Sequence, residues 1–181
     1  MRLLKYIVFL LFLFQFVSFA DKKTDAENRI KAAFIYNFTR FIVWPQKKTS
    51  EKKFVIGVLG TSSIKKSISK LLKNKYVGDN EIKIKRFVNM RDVNGCQILF
   101  ISDEFINPIQ KSSANFIPWM QKSNVLIICN SFSKKDNLKQ IGMVEFVILN
   151  DRVRFFIDKK SLDKAGLNMS SKLLRLAQNY K

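Results

Sequence analysis

The chain has 181 residues, and removing a 20-residue leader from 181 leaves 161, enough for one domain with its own core. With 47% apolar and 26% charged residues the composition is that of a globular protein, which excludes disordered, collagen-like and disulfide-scaffold classes. There are 33 Lys and Arg against 14 Asp and Glu, and no histidine, so Ser-His-Asp, Cys-His and His-metal chemistries are excluded before any motif is sought.

Residues 1–20 read as a secretory signal peptide. Arg2 and Lys5 form its positive end, Tyr6 to Phe19 is nearly all apolar, and Ser18 and Ala20 place small residues for cleavage before Asp21. The run is short for a bilayer span, which needs about 20 residues. Export through this leader makes the periplasm the expected address of a two-membrane host, with residues 21–181 as one α/β domain. Only two cations lie in the leader, so the mature part carries +17. Outside the cytoplasm that charge meets lipid head groups, wall polymers and acidic protein surfaces. Nucleic acid is not an expected partner, because lysine greatly outnumbers the arginine that reads bases bidentately.

Asp25 to Trp44 reads as a helix capped by Asp25 and stopped by Pro45. From Ala32 to Trp44 only Asn37, Thr39 and Arg40 are polar. That excess leaves two alternatives: burial on several sides, or a partner surface carried by Phe34, Phe38, Phe41 and Trp44. Phe54 to Gly60 reads as a buried strand and Ser62 to Asn74 as a helix with Lys66, Lys70 and Lys73 on one face. Glu81 to Phe87 alternates, with Lys83 and Lys85 on one side. The two lysine sets make one basic patch if their elements are neighbours. Gln97 to Ser102 and Val125 to Cys129 are apolar strands, with a helix between them around Ser112 to Gln121. Lys134 to Gln140 suggests a helical turn.

Val144 to Leu149 and Arg152 to Asp158 are strands joined by Asn150-Asp151, a tight hairpin link. Asp158 then caps a short helix ending at Gly166, and Ser170 or Ser171 caps a last helix to about Tyr180. The expected fold is therefore α/β: a mixed sheet of about six strands flanked by helices, with a C-terminal hairpin and two C-terminal helices.

Chemistry-bearing motifs are absent. There is no dinucleotide, P-loop, nucleophile-elbow or CxxC signature, and no catalytic residue, cofactor or metal is expected. Asp103-Glu104 is the only adjacent acidic pair of note, just after a strand's carboxyl end. Arg152 and Arg154 share one strand face, where they form an anion clamp or simply a charged edge. No disulfide is expected between Cys96 and Cys129. In parallel neighbours they sit at opposite strand ends, roughly 16 Å apart, against the roughly 7 Å a disulfide tolerates.

The segment KAAFIYNFTRFIVWP at 31–45, with FVIGVLG at 54–60 and CQILFIS at 96–102, resembles the YfiR family of exported bacterial proteins. The likeness is strongest from Gly142 onward, in VRF at 153–155, AGL at 165–167 and SSKLLRLA at 170–177. It implies a single α/β domain, a homodimer and no catalysis. It further implies a repressor that binds the periplasmic domain of a membrane diguanylate cyclase and lowers cyclic-di-GMP. An outer-membrane peptidoglycan-binding lipoprotein would sequester the repressor. Two departures stand out. Only Cys96 matches a family cysteine position, and Phe156 stands where relatives often carry Glu or His. An alternative reading is a periplasmic binding module for a small anionic ligand or cell-wall fragment. A third is an envelope protein adhering by charge alone.

Overall fold

A computed structural model describes residues 2–45, 52–111, 113–130 and 141–178, with side chains described from residue 22 onward except at Ser113. In chain order the elements are α1 (Arg2–Phe41), β1 (Ile42–Val43), β2 (Lys53–Leu59), α2 (Ile64–Leu71), β3 (Tyr76–Val77) and β4 (Asn80–Phe87). They continue with β5 (Ile98–Ile101), α3 (Ile106–Lys111), α4 (Ser113–Lys122), β6 (Leu126–Asn130), β7 (Val144–Leu149) and β8 (Arg152–Ile157). The chain closes with α5 (Lys159–Lys164), β9 (Asn168–Met169) and α6 (Ser171–Leu174).

The seven-stranded sheet has the order β3-β4-β2-β5-β6-β7-β8. Its five central strands are parallel, and an antiparallel strand pairs on each outer side. β2 lies between the second and third parallel strands of the chain, the doubly wound order 2-1-3-4-5. The right-handed crossovers β2–α2–β4 and β5–α3–α4–β6 run in opposite directions across the sheet, which places α2 on one face and α3–α4 on the other. α1 packs against α2, so it shares that face. β5 and β6 are buried along almost their whole length, which explains their continuous apolar sequences.

The mixed α/β architecture agrees with the sequence reading, and the differences are instructive. Asp25 does not begin a helix: α1 runs on through it from Arg2. α1 also stops at Phe41, before Trp44, because Ile42 and Val43 pair with Met169 and Asn168 in a separate two-stranded ladder. β3 is a seventh strand, too short to show alternation. The final helix ends at Leu174 rather than near Tyr180. The Gln178 N–H instead donates to Phe155 O at 2.8 Å, so pairing with the open side of β8 takes the chain out of the helix. The stretch around Ser112 to Gln121 corresponds to α4, preceded by the unexpected α3. The turn expected at Lys134 to Gln140 lies outside the described residues.

The hairpin forms as its sequence dictates. Asn150 (φ 49°) and Asp151 (φ 54°) both adopt the left-handed conformation that a two-residue type I′ turn requires. Asp158 caps α5 by accepting from Ser161 N at 3.1 Å, and Gly166 (φ 69°) follows its end. The basic patch does not assemble. A Cβ at Gly57 would touch Phe87 and Leu99, so those residues share a sheet face, and alternation puts Lys83 and Lys85 there too. α2 and its lysines cover the opposite face.

Candidate functional site

The apolar half of α1 docks onto the β7–β8 hairpin. Phe34 and Phe38 each contact both Phe146 and Phe155, with centroid distances of 5.0–6.2 Å. Phe38 has no exposed surface, so it is a core residue and presents nothing to a partner in this fold. Phe34 is half-buried beside it. Phe41 and Trp44 are also half-buried. Lys172 Nζ stands 5.7 Å from the Phe41 ring centroid. The Trp44 indole donates to Gln97 O at 3.1 Å and meets Phe54 edge to face. Val43 between them is 68% exposed, which leaves residues 41–44 as a small apolar ledge beyond the helix end.

The carboxyl end of the parallel sheet carries a polar network that the sequence showed only in part. Glu104 accepts from both the backbone N–H and the hydroxyl of Thr61, each at 2.7 Å. These bonds hold its carboxyl below the usual carboxylate range. The pair therefore ties the β5–α3 loop to the β2–α2 loop at the point where the strand order reverses. Gly60 (φ 92°) permits this approach, since a Cβ there would collide with the Glu104 carboxylate. From α1, Asn28 donates to Ser63 Oγ at 2.7 Å and Lys31 donates to Asn130 Oδ1 at 2.9 Å. Asn130 in turn donates to Asp103 Oδ1 at 2.9 Å. Burial pushes the Lys31 ammonium down from its usual range, against the opposing pull of Glu27 and Asp103. Sequence spacing could not find Asn28 and Lys31, because their partners lie 35 and 99 residues away.

The two sequence-predicted arginines do converge. Arg152 and Arg154 line one cleft of about 390 Å³ with Leu149, Asn150 and Gln178. A larger groove of about 650 Å³, with Phe105, Phe116 and Trp119 in its wall, escaped the sequence reading because its walls come from separate loops and helices.

The cysteines are both buried, and no disulfide joins them. Cys129 pairs in register with Ile101, whereas Cys96 precedes Ile98 at the other end of β5. Burial, then the charge of Glu145, pushes the Cys129 thiol well above its usual range, which disfavours the nucleophilic thiolate. Among the described residues, no three His, Cys, Asp or Glu side chains are grouped to hold a metal.

The family model described as YfiR/HmsC-like matches residues 28–178, from the docked half of α1 through the last described residue. The chain belongs to the YfiR/HmsC-like family. No curated protein matches it. The family is one of periplasmic, non-catalytic regulators of diguanylate cyclase signalling. Among the residues whose side chains are described, no helix is long and apolar enough to cross a membrane.

Proposed function

We propose that this YfiR/HmsC-like protein is a non-enzymatic repressor of a membrane diguanylate cyclase. It reaches the periplasm through a cleaved signal peptide at residues 1–20, binds the cyclase's periplasmic portion and lowers cyclic-di-GMP. The observation that carries this reading is the family match over residues 28–178, which begins after the expected cleavage point. In the same reading the repressor is a homodimer, and an outer-membrane peptidoglycan-binding lipoprotein withdraws it from the cyclase.

The apolar ledge formed by Phe41, Val43 and Trp44 is the contact surface in this proposal, with the half-buried Phe34, two turns earlier on α1, as a further aromatic contact. Half-buried aromatics and the exposed Val43, on a strongly basic chain, supply anchors, while the charge steers an acidic partner toward them. Losing one such anchor costs about 2 kcal/mol or more of binding.

The test measures intracellular cyclic-di-GMP in a strain lacking the gene, complemented by full-length protein, a leaderless version, or Phe41→Asp. The expected result is a rise on deletion that only the exported, unsubstituted form reverses. No rise on deletion overturns the repressor reading. A folded Phe41→Asp protein that restores repression fully overturns the ledge as the contact.

A further inference from the structure

We infer that the cleft between the β7–β8 turn and the C-terminal segment binds a phosphomonoester through Arg152 and Arg154. This inference does not depend on the repressor reading.

The two arginines sit at alternate positions of β8, so their Cα atoms are about 7 Å apart and their side chains leave the same sheet face. Val153 and Phe155 between them and beyond are buried, which holds the strand in place and directs the arginines away from the core. Among the described residues, neither guanidinium has a hydrogen-bond or ion-pair partner. The nearest acid along the chain, Asp151, is already held by Lys23 at 3.0 Å. Among the described residues, no carboxylate lines the cleft. Two cations thus face one space with no neutralising acid among the described residues, in a chain already strongly positive.

The remaining lining is suited to the same ligand class. Gln178 and Asn150 contribute side-chain amides, which can donate to phosphate oxygens or to hydroxyl groups on the ester. Gln178 is positioned by its own backbone N–H, which donates to Phe155 O at 2.8 Å. Asn150 is fixed by its left-handed turn conformation. Two guanidinium forks offer paired N–H groups to the three terminal oxygens of a dianionic phosphate, a better match than to a single carboxylate. About 390 Å³ accommodates a phosphate with a small polar body, at the lower end of the roughly 300–1,000 Å³ typical of ligand sites. This chemistry occurs both in soluble sugar phosphates and in phosphatidate-type lipid head groups.

The experiment is calorimetric titration of the exported protein with glycerol 3-phosphate and with inorganic phosphate. A parallel arm measures sedimentation with phosphatidylcholine vesicles, with and without phosphatidate. Arg152→Lys and Arg154→Lys keep the charge but lose the fork, and Lys70→Gln on the opposite sheet face removes a charge elsewhere. The expected result is saturable binding of a phosphate probe that each Arg→Lys change weakens by about tenfold, the loss of roughly one charge-assisted hydrogen bond. Lys70→Gln should leave it unchanged. Binding in the soluble arm alone assigns a free phosphate ester, and binding to phosphatidate vesicles alone assigns a lipid head group. Absence of saturable binding in both arms overturns the inference. So does binding that survives both Arg→Lys changes, or that falls equally with Lys70→Gln. Both conservative variants are at the surface, and unchanged melting temperatures would establish that they fold.

Discussion

Replacing Phe38 by alanine tests whether the aromatic half of α1 belongs to the core. The side chain is completely buried and meets Phe155 edge to face at 5.4 Å and Phe146 in a stacked arrangement at 6.2 Å. Each ring pair is worth about 0.5–1.5 kcal/mol beyond simple burial. The space it vacates lies between a long helix and a hairpin ladder, neither of which can close it without breaking its own hydrogen bonds. Truncation should therefore cost about 3–5 kcal/mol, a large share of the roughly 5–15 kcal/mol that holds a typical domain folded. At about 2–4 °C per kcal/mol for a domain of this size, the melting temperature should fall by roughly 6–20 °C. Phe41→Ala, at a half-buried ring, should cost only about 1–2 kcal/mol. Urea unfolding monitored by circular dichroism measures both. A Phe38→Ala protein within about 1 kcal/mol of the parent, or less damaged than Phe41→Ala, would refute the assignment of Phe38 to the core.

Asn150→Val places a β-branched residue at φ 49° and should destabilise the hairpin by about 1–2 kcal/mol, whereas Asn150→Gly should be nearly neutral in thermal melts. Gly57→Ala pushes a methyl against the Phe87 ring, 2.6 Å from the position a Cβ would occupy, and should cost about 1–3 kcal/mol in denaturant unfolding. The Glu104 carboxyl titrates below its usual range because Thr61 donates to it, so its contribution is present above the unfolded-state value and is lost as pH falls through the folded one. Thr61→Val should move its titration back up, read by NMR of the side-chain carboxyl; an unmoved titration would refute the hydrogen-bond cause. Lys31 is depressed by burial, so stability should rise as pH increases from its folded value toward the ordinary lysine range, and Lys31→Met should flatten that rise in pH-dependent melts.

The elements legible from residues alone were those with strong local determinants. β2, β4, β5, β6 and the β7–β8 pair announce themselves through apolar runs, alternation and the Asn150-Asp151 turn. Asp158 and Ser170 mark helix starts because a short polar side chain reaches its own backbone three residues on. The Arg152–Arg154 pair was legible for the same reason: a two-residue period fixes which side chains share a strand face. The polar network at the carboxyl end was not, apart from Asp103 and Glu104, since Asn28, Thr61 and Asn130 have no local signature.

Sequence by itself determined the α/β class, the positions of β2, β4, β5, β6, β7 and β8, the hairpin and the ordered residue set that the family shares. Each rests on periodicity, turn chemistry or composition, which act over a few residues. Tertiary structure alone decided which apolar residues of α1 are core and which remain at the surface, because Phe38 and Phe41 differ only in what lies opposite them. It also decided that the lysines of α2 and β4 face opposite sides of the sheet, through crossover handedness. Finally, it ended the last helix early, since the unpaired backbone along the open side of β8 offered the Gln178 N–H a better partner than another helical turn.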